Sequence, residues 1–217
     1  MGDYQDLAKH CKAEFPALAF PATSEKEYDE AAKLALLSAL QATGHAYCYM
    51  DFKLGDDKKG RRVLFELYHQ LCPRTCENFA ALCSGAGKLK YKGSGVHRCV
   101  AGGWVAGGDI VSGKGNGGQS VFGDAFEDET FAVKFDAPGV LAMASKGPHT
   151  NASQWFVTVA ALPWLNTKAV AFGRVVRGLS HIRAINAVEC VNERPEEPVQ
   201  VVKCGQVDLT SVFDLKF

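Results

Sequence analysis

From Ala46 onward the chain alternates short aromatic and aliphatic runs with clusters of Gly, Asp, Asn and Lys, a rhythm that admits strands and little else. Ala46 to Phe52 reads as a strand, Gly55-Asp56-Asp57-Lys58-Lys59-Gly60 as a polar turn, and Val63 to Tyr68 as the returning arm of a hairpin. Pro73 sits where a first helical turn tolerates a missing N–H, Thr75, Cys76 and Asn78 to Leu82 continue as a helix, and Ser84-Gly85 ends it. Beyond a long Gly-rich stretch, strands are expected at Gly139 to Ala144, Trp155 to Val159, Val170 to Val176 and Val199 to Cys204, with one helix near Leu179 to Val188. Many short strands with two helices imply a mainly β barrel or sandwich whose ends are closed by helices.

The segment before Ala46 follows a different period. Tyr4, Leu7, Cys11 and Phe15 recur at helical spacing until Pro16 and Pro21 interrupt them. Ser24-Glu25-Lys26-Glu27 then forms a capping box, in which the Ser24 hydroxyl and Glu27 carboxylate each satisfy a free backbone N–H. A helix from about Glu25 to Ala42 is expected, stopped by Gly44. Residues 1–44 are therefore read as a helical extension and residues 45–217 as the main domain. The extension either packs on the neighbouring barrel or offers a docking surface to another protein.

Charge narrows the partners. Twenty-four Lys and Arg balance 24 Asp and Glu, so no net field draws nucleic acid or an anionic membrane over long range, and neither is an expected partner. The acidic start, Met1 to Asp6, lacks the basic flank and apolar run of an export signal. Eight cysteines in such a chain are expected as reduced thiols, and a cytoplasmic location follows. Asn151-Ala152-Ser153 matches a glycosylation sequon that would need a secreted setting.

Gly113-Lys114-Gly115-Asn116-Gly117-Gly118 fits G-x-G-x-x-G literally, yet Gln119 to Asp124 carry no helical period and no βαβ unit surrounds it, so a nucleotide is not expected. His69, Cys72 and Cys76 lack a second cluster to complete a metal site and read better as packing groups. Neither Gly-x-Ser-x-Gly nor His-Glu-x-x-His occurs.

Three segments carry more information: Tyr91 to Arg98 (YKGSGVHR), Gly107-Gly108-Asp109, and Gly147 to Phe156 (GPHTNASQWF). With Pro73 to Phe79 upstream, and Trp164-Leu165, Phe172-Gly173 and Cys204-Gly205-Gln206 downstream, they resemble the cyclophilins over about residues 46–207. The resemblance implies an eight-stranded antiparallel barrel capped by two helices, with a peptide groove on its outer face. It also implies cis/trans isomerisation of X-Pro bonds, whose barrier of about 20 kcal/mol comes from partial double-bond character. Neither a cofactor nor a metal is implied. Such chemistry needs a donor aimed at the prolyl nitrogen, where a lone pair localises as the bond twists, and an apolar seat for the ring.

By the same resemblance Arg98 is the donor, and Gln154 orients its guanidinium and touches the substrate backbone. Phe156 and Leu165 wall the pocket, the backbone of Ala144 and Ser145 pairs with an extended peptide, Gly115 lines the groove, and Trp164 stands at its edge. Departures accompany the matches. Gly103 stands in place of a pocket Phe, Trp104 of a Met, Ala106 of a Gln that helps hold the arginine, Ala169 of a His and Ser145 of an Asn. Losing one aromatic seat forfeits roughly 1.5 to 3 kcal/mol of ring burial, about 10- to 150-fold in binding or rate, unless Trp104 fills the place or covers it. Weak cyclosporin binding is expected despite Trp164. Three functions remain open: a weakened peptidyl-prolyl isomerase, which is favoured, a binding module for proline-containing peptide, and a structural barrel with an occluded groove.

Overall fold

Alternation of apolar and polar side chains makes β1 (Ala46–Leu54) and β2 (Arg61–Leu67) the two arms of the expected hairpin, with Cys48, Met50, Phe52, Val63, Phe65 and Leu67 all pointing into one core. The computed structural model describes Ser38, Gln41, residues 43–85 and residues 87–208. The expected N-terminal helices therefore fall outside the described residues, apart from these few positions.

The chain continues through α1 (Pro73–Ser84), β3 (Val96–Val100), β4 (Trp104–Gly107), β5 (Val140–Met143), β6 (Trp155–Thr158), β7 (Ala171–Arg177), α2 (Leu179–Asn186), β8 (Cys190–Val191), β9 (Arg194–Pro195) and β10 (Val199–Gln206). Eight of the strands form one antiparallel sheet in the order β10-β1-β2-β7-β5-β6-β4-β3, while β8 and β9 pair separately as a small hairpin. Gly95 bridges to Gln200, and Gly93 and Ser94 exchange backbone bonds of 2.7 and 2.9 Å with Val201, so the sheet curls nearly shut. Closure hides the edges that would otherwise invite foreign strands. The eight-stranded barrel with two helices is thus the observed fold.

Each helix covers core. Phe79 of α1 packs edge-on against Phe65 and Phe172, with ring centroids 5.9 and 5.3 Å away, and Ile182 and Ile185 of α2 are fully buried. Glu129 accepts the N–H groups of Arg74 and Thr75 at 2.9 and 2.7 Å, so a distant carboxylate caps α1 where no local side chain does. Gly85 closes the helix in the left-handed conformation, φ 84°, as Ser84-Gly85 predicts.

Cys72 and Cys76 give their thiols to the carbonyls of Ala171 and Phe172, and burial pushes the Cys72 thiol up to about 12. Both side chains are buried and pack against β7 through these contacts. Among the described residues no cluster of His, Cys, Asp or Glu is placed to hold a metal ion.

One charged group lies inside the wall where β1 begins. Glu66 is 2% exposed and accepts bonds from His45 Nδ1 at 3.0 Å, the Tyr47 hydroxyl at 2.9 Å and Arg174 Nε at 2.6 Å. Burial alone would raise its pKa, but His45 and Arg174 outweigh that and hold the carboxyl below its ordinary value.

Candidate peptide groove

The pleat of β6 separates core from site. Trp155 and Val157 point inward, while Phe156 between them points to the outer face with cross-strand neighbours Ala106 on β4 and Ala142 on β5. Two alanines flanking a phenylalanine leave its ring uncovered by the sheet, and other aromatics come to it. Phe135 stacks on Phe156 with a centroid distance of 5.9 Å and an interplanar angle of 9°, and Trp104 leans on it at 6.0 Å. Trp104 in turn meets Trp164, which is 53% exposed, at 5.9 Å. Leu165 and Ala169 are half-buried against the same cluster. The result is an apolar aromatic ledge on the outside of the barrel, separate from its core.

Trp104 therefore lies on the outer face, while a Cβ at the neighbouring Gly103 would meet Val100 at 3.2 Å. The β3–β4 turn holds it there: Asn186 at the end of α2 donates to the carbonyls of Val100 and Trp104 at 2.8 and 3.0 Å and accepts the Gly102 N–H at 2.9 Å.

Arg98 is exposed at the edge of this ledge, its Cζ 5.5 Å from the Trp104 ring centroid. Its Nε donates to Glu193 at 2.7 Å. Gln154 instead gives its amide to the carbonyls of Gly115 and Gly117, at 3.1 and 2.6 Å. Gln154 and Arg98, expected to meet, are held by separate partners: the Gln154 Nε2 donates to the two glycine carbonyls, and the Arg98 Nε donates to Glu193.

That loop is built around Asp109. Its buried carboxylate accepts the N–H groups of Val111, Ser112, Gly115 and Gly117 at 3.1, 2.8, 2.8 and 3.0 Å, and the Ser112 hydroxyl at 2.6 Å. Burial would raise the pKa of Asp109, but these bonds overrule it and hold the group far below the usual carboxylate range. Within the G-x-G-x-x-G segment the Gly115 and Gly117 N–H groups thus serve an internal carboxylate. Gly115, φ 87°, leaves no room for a side chain, since a Cβ would lie 2.5 Å from His97 Cδ2. His97 is held toward its neutral form by burial, and by Arg194 and Arg98, against the opposing pull of Asp109 and Gln154.

Of the remaining expected residues, the Ala144 N–H is engaged by the Gln154 carbonyl at 2.9 Å, and Ser145 beside it is exposed. The structure thus gathers Arg98, Trp104, Phe156, Leu165 and Trp164 about one ledge, with Gln154 and Gly115 joined in the loop beside it.

A family profile described as cyclophilin type peptidyl-prolyl cis-trans isomerase/CLD matches residues 49–206. The chain belongs to the cyclophilin family. Among curated relatives, a bovine protein named probable inactive peptidyl-prolyl cis-trans isomerase-like 6 is 41% identical over 217 residues, covering 95% of this chain and 69% of its own length. The human and mouse proteins of the same name are 43% and 44% identical, covering 76% and 72% of this chain but only 55% and 52% of their own lengths.

Two residues of this cyclophilin groove escape sequence reasoning. Phe135 lies in an irregular segment without period, so only its aromatic character hinted at burial. Glu193 lies with Asn192 between β8 and β9, and both adopt left-handed backbone, φ 63° and 51°. A two-residue turn of this kind ordinarily signals itself by glycine. Holding a non-glycine residue so costs roughly 1–2 kcal/mol, whereas an ion pair as exposed as that to Arg98 returns only ~0.2–1 kcal/mol. Stability does not account for Glu193.

Proposed function

We propose that this cyclophilin domain binds proline-containing peptide segments on the aromatic ledge and accelerates their cis/trans isomerisation weakly. The placement of Arg98 carries the reading: a guanidinium stands beside an apolar seat formed by Trp104 and Phe156, the pairing that prolyl rotation needs. Weakness is expected from Ala106, which supplies no second amide, and from a Gln154 that makes no hydrogen bond to Arg98. Binding without turnover is the second reading, favoured by Ala106 in the place of an arginine-holding Gln and by the relatives named probable inactive. A cytoplasmic setting is proposed alongside, supported by seven free thiols among the described residues.

X-Pro exchange in a short Ala-Pro peptide, followed by NMR with the protein and with Arg98→Ala, tests this. Exchange that depends on Arg98 is the expected result. Shifted peaks without faster exchange would establish the second reading, and unchanged spectra would exclude both.

A further inference from the structure

Arg98 carries a long side chain with many rotamers, and a donor that must meet a twisting prolyl nitrogen loses rate whenever it wanders. The resemblance assigns its restraint to a Gln at position 106 and to Gln154. Position 106 is Ala, and the hydrogen bonds of the Gln154 amide go to Gly115 and Gly117 and not to Arg98. What does reach the guanidinium comes from the opposite side, the tip of the β8–β9 hairpin, where the Glu193 carboxylate takes Nε at 2.7 Å. The same residue accepts the Cys99 N–H through its own carbonyl at 2.6 Å, pinning the tip to β3 beside Arg98. Arg194, next along, donates to the Lys114 carbonyl at 3.3 Å and ties the hairpin to the glycine loop as well. The tip is thus fixed at two points, and Glu193, on left-handed backbone, turns its carboxylate to the arginine.

We infer that Glu193 is a positioning residue for Arg98, restraining the guanidinium from the β8–β9 hairpin in place of the absent amide at position 106. Binding through Nε leaves the terminal amino groups for substrate, and the Trp104 ring limits swing on the other side. The backbone strain at Glu193 is then the cost of placing a carboxylate where a turn would prefer glycine.

This rests on the isomerase reading and is tested with Glu193→Gly and Glu193→Gln. Glycine relieves the left-handed backbone while removing the carboxylate, so thermal stability should hold or rise while turnover falls between about 2- and 12-fold, the freedom regained by one long side chain. Glutamine keeps an oxygen for Nε and should retain most of the rate. A residue with only a structural role would move stability and turnover together. Glu193→Gly turning over as fast as the parent, or faster, overturns the inference. If the parent accelerates no exchange, the isomerase reading itself fails, and the Arg98 Nε–H resonance still decides the pairing: it should shift and exchange faster with solvent in Glu193→Gly, and an unchanged resonance overturns the positioning role.

Discussion

The guanidinium of Arg98 lies over the indole of Trp104, its Cζ 5.5 Å from the ring centroid. One indole face thus serves the donor while the ring also leans on Phe156. Replacing Trp104 by Ala should weaken binding of an Ala-Pro peptide about tenfold, since both a cation–π contact and apolar seating area are lost. Titration by NMR or calorimetry reads this directly. Tighter binding by the variant would identify Trp104 as a cover over the groove.

Gly115 is where loop and groove meet, and any side chain there strikes His97 from a left-handed backbone. Gly115→Ala should cost roughly 1–3 kcal/mol in urea unfolding. Because Gln154 is anchored on the Gly115 carbonyl, peptide affinity should fall too. Full stability in the variant would mean that the His97 ring yields freely.

Glu66 ties His45, Tyr47 and Arg174 together inside the wall. Glu66→Gln leaves Arg174 without its charged partner and should destabilise the domain by roughly 2–4 kcal/mol at neutral pH. Its folded pKa is depressed, so the stabilisation is present above the ordinary value of 4.5 and disappears as pH falls through the folded one. The variant's deficit should shrink accordingly in acid, which denaturation at several pH values would reveal.

His97 works in the same direction in a higher window. Its folded pKa lies below 6.5, so the unfolded chain takes up the proton first and stability declines as pH drops from about 6.5. His97→Phe keeps a ring and removes the titration, so its stability should follow pH less steeply than the parent's between about pH 5 and 7. Equal slopes would count against a buried neutral imidazole.

Strands were legible where short apolar and β-branched runs are bounded by turn residues, and β1, β2, β5, β6, β7 and β10 fall near their expected places. β3 and β4 were not, since they hold few residues and lie within a glycine-rich run whose shape is set by Asp109 and Asn186 from elsewhere in the chain. In the groove, Arg98, Trp104, Phe156, Leu165 and Trp164 were recognisable from motif context, whereas Phe135 was not. The partners of Arg98 and Gln154 were not, because each is bonded across a turn whose geometry no local pattern announces.

The first and last strands of the barrel are neighbours and run antiparallel, with Cys48 opposite Gln206 and Leu54 opposite Val199. The chain thus enters and leaves the domain at one end of the same ladder. Tension applied through the two flanks would bear on the Cys48 end first and part the ladder one rung at a time, never shearing all rungs together. The domain is a bead whose two attachment points share one end of a ladder, poorly suited to transmitting force along its own chain.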